Sequence, residues 1–458
     1  MKRNMKKTLL LTLALGLAGA SPLMATTVDV YITGSTAFRA NVYTACTKLF
    51  SPAPTIYYGD SAHGGDANDN SSTAAWAMTG SPITQLTNFS GKTLVIHGLF
   101  TGSIQGMQTT ESSTKLVFTA PSGVAGGAAN AYVTNSPTIG FSDASGSATP
   151  YAASGNFEEE NVCVQPFVIC KSTATVGAVT NINNATWEQL EYGIVAGRIP
   201  LASWTGKITD TNTFVYLMQR TKDSGTRRVE TQGEYFQYSG TVGIYMYDYT
   251  NNFFYSPSVL AATTYGASPN GVVGAAGLNN ANVNANWGYG YVGGGDIKNS
   301  LNNGNAANQA IAYLSMNDSK GVNLNSGGNW SAVVSYNGIW PTGAGAGIHG
   351  NTGTNDFSPI TLGYYPLWGF EVLVHPISLT SIPDQDINQT ELGDQYTPGS
   401  FLGVLNYQTY NYPGTPYLTG SIENEIILSQ PNGATAITLA EMFNQRPSVG
   451  GTIYPPFQ

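Results

Sequence analysis

Arg220, Ser224, Gly225 and Thr226 lie within seven positions, in the stretch Arg220-Thr221-Lys222-Asp223-Ser224-Gly225-Thr226-Arg227-Arg228. A guanidinium offers a planar fork of donors suited to a carboxylate, phosphate or sulfate. Ser-Gly-Thr can open a helix, whose first amides are unpaired donors and whose dipole puts partial positive charge at that end. Four of the chain's 18 Lys and Arg fall in these nine residues, in a chain only 10% charged. The chemistry implied is capture of an oxyanion. The same residues also make an ordinary turn or helix cap, so the cluster gains meaning only from what surrounds it.

Two further Ser/Gly turns follow strand patterns. Val28 to Ile32 alternates as a strand and runs into Thr33-Gly34-Ser35-Thr36-Ala37-Phe38; Phe38, Val42, Cys46 and Leu49 then recur at helical spacing. Thr93 to His97 reads as a strand and leads to Thr101-Gly102-Ser103-Ile104-Gln105-Gly106. Pro137 to Ala144 reads as a short strand ending in an exposed Asp143, placed as a carboxylate should be to face a cleft at a strand's carboxyl end. Thr213 to Met218 is a strand that delivers Arg220.

The elements around these turns alternate between strand and helix. Thr186-Trp187-Glu188-Gln189 starts a helix as a capping box, continued by Leu190, Ile194 and Val195. Val162 to Ile169, Ala310 to Leu314 and Leu367 to Val374 read as strands, and Gly197, Pro200 and Trp204 mark a loop. Residues 59–82, 267–295, 321–331 and 342–357 are polar or Gly/Asn-rich and read as loops; Glu158-Glu159-Glu160 reads as a solvated charge run, and Thr435 to Phe443 as a possible helix in a less legible tail.

With 458 residues the chain is too long for one typical core, so two lobes are expected. Residues 1–25 have the form of a secretory signal peptide: Lys2, Arg3, Lys6 and Lys7, the apolar run Thr8 to Ala18, then small residues with cleavage expected after Ala20 or Ala25. That implies a periplasmic or extracellular protein without membrane insertion after cleavage. Those four basic residues have no acidic counterweight, so removing them makes the formal charge of −9 more negative. An acidic chain argues against nucleic acid and anionic membrane surfaces as partners. By number, Cys46, Cys163 and Cys170 allow one disulfide; the apolar setting of Cys163 and Cys170 favours buried free thiols. His63, His97, His349 and His375 form no metal-ligand or nucleophile–base pattern, so no cofactor, no metal and no enzymatic activity are expected.

The order of these motifs, from about Val28 to about Pro376, resembles the phosphate-binding periplasmic proteins of ABC importers. Ile32 to Phe38 resembles that family's first phosphate loop, Thr101 to Gly106 its second, and Ile139-Gly140-Phe141-Ser142-Asp143-Ala144 the element that supplies a carboxylate. Arg220 with Ser224-Gly225-Thr226 resembles its phosphate clamp, and Tyr365-Pro366-Leu367-Trp368 a later landmark. The resemblance implies an α/β, two-lobed type II periplasmic binding protein fold with the ligand cleft between lobes and long Gly/Asn-rich loop insertions. Residues 26–160 and 339–458 would form one discontinuous lobe and 161–338 the other. It further implies Ser35, Thr36, Ala37, Phe38, Ser103, Asp143, Arg220, Ser224, Gly225 and Thr226 as ligand-binding residues, phosphate or a related oxyanion as ligand, and an ABC importer permease as partner. Lys222 stands where the family has Asp, and Asp223 where it has Gly, so the identity of the oxyanion stays open. A second reading also stands, that of a cell-surface or extracellular matrix protein that keeps the fold and uses its insertions for adhesion.

Overall fold

The computed structural model describes residues 25–60, 73–122, 126–127, 129, 131–146, 155–172, 182–220, 224–232, 246–248, 253–255, 290–291, 293–303, 309–322, 331–343, 356–382, 384–408, 418–429 and 436–442. The signal segment, Lys222-Asp223, most of the Gly/Asn-rich stretches, His63 and His349 lie outside the described residues.

The chain is an α/β protein built on one large mixed sheet. Its strands are β1 (Thr27–Gly34), β2 (Thr55–Tyr58), β3 (Ala75–Gly80), β4 (Thr93–Leu99), β5 (Leu116–Thr119), β6 (Tyr132–Asn135), β7 (Ile139–Ser142), β8 (Phe157–Lys171), β9 (Asn184–Ala185), β10 (Arg198–Pro200), β11 (Phe214–Met218), β12 (Met246–Asp248), β13 (Phe253–Tyr255), β14 (Ala310–Ser315), β15 (Val333–Tyr336) and β16 (Trp368–Pro376). The main path runs β10-β11-β14-β8-β16-β7-β1-β4-β3-β2, with β15 and β9 attached beside β8; β5–β6 and β12–β13 are separate two-stranded ribbons. Helices of eight residues or more among the described residues are α1 (Arg39–Lys48), α2 (Ser103–Glu111), α3 (Trp187–Ala196), α4 (Gly225–Gln232), α5 (Gly294–Asn303) and α6 (Ile422–Ser429).

Strand β8 joins the two halves of this sheet. Phe157 to Pro166 pairs antiparallel with β16, and Phe167 to Lys171 pairs antiparallel with β14. Two buried apolar clusters lie on either side of this changeover. One gathers Phe167, Ile169, Leu190, Leu217, Ile311, Leu314, Tyr336 and Trp368; the other gathers Ile32, Phe38, Val42, Trp76, Ile96, Phe141, Val162, Leu373 and Leu402. The tail after Pro376 belongs to the second cluster through Leu392, Phe401, Leu405 and Ile422.

Helix α3 starts as the capping box predicts: Thr186 Oγ1 accepts from Gln189 N at 3.3 Å, and Gln189 Oε1 accepts from Thr186 N at 2.9 Å. Gly197 ends it at φ 75°, a left-handed conformation that costs glycine nothing. Beyond it, where a loop is expected, the chain makes β10 and a short helix, Ala202–Thr205, on which Trp204 Nε1 donates to Asn184 O at 3.0 Å.

Several expectations are corrected. Residues 59–82 are not all loop, because Ala75–Gly80 forms β3 between β2 and β4 and buries Trp76 and Met78. Its alanines, with Thr79 as its lone β-branched residue, disguise the strand. Glu158–Glu160 is not a solvated run: it lies in β8, where Glu158 near the strand's start is exposed while Glu160, two residues further in, is buried against His375 Nε2 at 3.2 Å and Asn406 Nδ2 at 2.8 Å. Within Thr435 to Phe443 the described part makes a β-bridge from Ile437 to Val164 and a 3₁₀ turn, Leu439–Glu441, in place of a helix. Cys46, Cys163 and Cys170 are buried free thiols.

Candidate anion site

Strands β1, β4 and β7 are mutually parallel through β1, so their carboxyl ends emerge at one edge of the sheet. Ser35 follows β1, Thr101-Gly102-Ser103 follows β4 and Asp143 follows β7. From the other half of the sheet, β11 ends two residues before Arg220. Topology alone therefore sends four Ser-, Thr-, Asp- or Arg-bearing turns toward the same region.

Glycines let these turns close on one another. A Cβ at Gly34, whose φ is 131°, would collide with the Phe141 carbonyl, and one at Gly106 would collide with the Gly34 backbone. Helix α2 thus lies directly on the β1–β7 end, with Gly102 N donating to Gly34 O at 3.1 Å and Ser35 N to Phe141 O at 2.9 Å. A Cβ at Gly225 would come within 2.7 Å of Ser103 Cβ and 2.9 Å of Asp143 Cβ. The first residue of α4 therefore abuts the first residue of α2.

Asp143 sits at the centre. It is only 1% exposed, so the expectation of an exposed carboxylate is corrected: the turns fold over it. Its Oδ1 accepts a short hydrogen bond from Ser35 Oγ, and its Oδ2 accepts from Thr226 Oγ1 at 3.0 Å. Ser35 Oγ in turn accepts from Phe38 N at 3.2 Å, tying the α1 N-terminus to the same carboxylate. Arg220, 3% exposed, reaches Thr226 Oγ1 with Nη1 at 3.4 Å and Thr36 Oγ1 with Nη2 at 3.5 Å, while Nε donates to Tyr291 O at 3.3 Å. Ser224 caps α4, its Oγ accepting from Arg227 N at 3.3 Å. Ala37 and Phe38 are buried at the α1 N-terminus. All ten residues expected at the site are thus in one neighbourhood, with Thr36 the partly exposed member.

Glu230 and Glu371 near the site were not singled out from sequence, and Arg227 only as part of the basic cluster. Arg227 donates from Nη1 to Arg220 O at 3.1 Å, and its burial lowers its affinity for a proton to a pKa of about 10. Glu230, fully buried, accepts from Gln219 Nε2 at 3.4 Å; burial raises its pKa to about 8, with Arg227 pulling the other way. Glu371 of β16 faces Asp143, and burial followed by repulsion from Asp143 pushes it well above the usual carboxylate range. In sequence, an isolated Glu in an otherwise apolar strand was the only available signal for it. His97, expected as a satisfied strand residue, has Nδ1 against Thr119 O at 2.6 Å and Nε2 against Asp29 Oδ1 at 2.8 Å. Among the described residues no group of three or more His, Cys, Asp or Glu is placed to hold a metal, and no helix is long and apolar enough to cross a membrane.

No protein-family profile and no curated protein sequence matches the chain. Solved structures do. A Clostridium perfringens protein solved with bound phosphate is similar at 12% identity over 78% of this chain and 88% of that one, with a TM-score of 0.34. An ABC-type phosphate transport receptor from Vibrio cholerae is similar at 12% identity over 76% and 87%, with a TM-score of 0.33. A phosphate binding protein from Stenotrophomonas maltophilia is similar at 13% identity over 77% and 79%, with a TM-score of 0.31.

Proposed function

We propose that this chain is an exported, non-catalytic solute-binding protein of the type II periplasmic binding fold that captures phosphate or a related oxyanion between two lobes, for delivery to an ABC importer. The observation that carries this reading is the meeting of three helix N-termini, those of α1, α2 and α4, with the buried Arg220 around a single carboxylate. Each N-terminus contributes partial positive charge and Arg220 a full one. Asp143 offsets only part of that, so the site favours a further negative charge. Backbone amides of the three turns, the hydroxyls of Thr36, Ser103 and Ser224, and the Arg220 fork can replace the hydration an oxyanion sheds on entry.

Asp143 supplies selectivity in this reading. A carboxylate only accepts hydrogen bonds, so it suits an oxyanion that still carries a proton, as monohydrogen phosphate does and sulfate at neutral pH does not. Isothermal calorimetry of the purified protein with phosphate, arsenate and sulfate tests the proposal. The expected result is saturable binding of phosphate and arsenate that outcompetes sulfate. Absence of heat and of competition with all three would overturn the oxyanion reading.

A further inference from the structure

Glu371 lies where no carboxylate is needed for packing. It is fully buried on β16, and its neighbour in register across β8 is Cys163. The β16–β8 ladder slips at this point: Glu371 pairs with Cys163 and Val372 with Asn161, leaving Val162 as an extra residue. A bulge of this kind re-aims a side chain. On its other side β16 pairs with β7, Val372 opposite Ser142, which sets Glu371 beside the residue that follows β7, Asp143.

Among the described residues no donor reaches either buried Glu371 oxygen, and the register of β16 on β7 sets its carboxyl against that of Asp143. Two carboxyl groups can share a hydrogen bond only if one carries a proton, and buried neighbours of this kind do not both ionise. The surroundings decide which one carries it. Asp143 already receives the hydroxyls of Ser35 and Thr226, with the Arg220 guanidinium beyond Thr226, so it is the acceptor of the pair. Glu371 stands between Asp143 and the Cys163 thiol, itself pushed upward by burial and by both carboxylates. Burial and Asp143 likewise push Glu371 well above its ordinary range.

We infer that Glu371 is a proton-bearing positioning residue, donating to Asp143 so that the anion site holds one oriented negative charge, and that loss of this proton in alkaline solution expels the anion. The inference rests on the oxyanion reading of the site. With the proton in place Asp143 is fixed by three donors and keeps lone pairs for a ligand hydroxyl. Once Glu371 ionises, a second negative charge stands behind the first in a region shielded from water, where Coulomb repulsion of an anion is strong.

The test is titration of inorganic phosphate by calorimetry at about pH 6.5 and about pH 9 with the full-length wild type, Glu371→Gln and Glu371→Leu. Phosphate's own ionisation is common to all three proteins, so differences between them isolate Glu371. Gln donates as the protonated acid does, so the alkaline fall in affinity should shrink by about tenfold relative to wild type. Leu should bind more weakly at both values, with the same flattened profile, and Gln should rescue it. A Glu371→Gln profile parallel to wild type would overturn the inference. A second readout needs no ligand: the infrared band of a protonated carboxyl should be present near neutral pH in wild type and reduced in Glu371→Gln. If wild type binds no phosphate but this band difference appears, the oxyanion reading fails while the protonation of Glu371 stands; if the band difference is absent, the inference fails whatever binds.

Discussion

Arg220 and Asp143 should behave differently when altered. Arg220 is a donor to whatever anion enters, and hydrogen bonds to charged groups are worth about 1.5–3 kcal/mol, so Arg220→Ala should weaken phosphate binding by about that much in calorimetry. Asp143→Asn keeps the shape and places an NH₂ where only acceptors stood. The affinity ratio of phosphate to sulfate should narrow, and an unchanged ratio would remove Asp143 as the discriminator. Glu230 provides a separate pH signature. Its folded-state pKa of about 8 lies above the unfolded value, so the folded protein holds a proton that the unfolded chain releases. That stabilisation is complete in acid and is lost as pH rises from about 4.5 through about 8, with a slope approaching 1.4 kcal/mol per pH unit for one proton. Glu230→Gln should flatten the decline of melting temperature across that window.

At the scale of elements, contact between α2 and α4 depends on the absence of one side chain. Gly225→Ala must push Ser103 or Asp143 aside, since the new carbon would stand 2.7 and 2.9 Å from their Cβ atoms. Overpacking of this kind costs about 1–3 kcal/mol, and here it also parts two helix N-termini, so stability and phosphate affinity should fall together. Thr186→Ala, at the α3 cap, should cost about 1 kcal/mol of stability in denaturant unfolding and leave phosphate affinity alone, which separates a general loss of stability from damage to the site. These elements were legible to different degrees for physical reasons. The turns at Ser35, Ser103 and Ser224 announced themselves because each couples a β-rich run to Ser, Thr and Gly, and the Thr186 box because its four residues act locally. By contrast, β3 hid behind alanines in a polar setting, and the pairing of Glu160 with His375 depends on residues more than 200 positions apart in sequence. Glu371 showed only as a lone Glu in an apolar strand, for the same reason. Its meaning comes from the residue across β7, not from its neighbours in the chain.

The whole molecule converts these local contacts into a coupled system. Asp143 and Ser35 belong to the half of the sheet around β1, Arg220 and Thr226 to the half beyond β8, and both halves are held by β8 and β16 running side by side beneath the site. An anion bound here would be gripped from both halves at once, so its binding free energy would oppose any separation of them. A ligand that binds only the folded state stabilises it by about 2.7 kcal/mol at a hundred times its Kd, and the shift grows with the logarithm of concentration. Phosphate should therefore raise the melting temperature progressively, and Arg220→Ala should move that curve to higher phosphate while Thr186→Ala lowers the starting point without moving it. The adhesion reading predicts otherwise: a fold kept only as a scaffold would melt at the same temperature with or without phosphate, arsenate or sulfate. A thermal-shift series over these three anions thus distinguishes a working cleft from an inherited one.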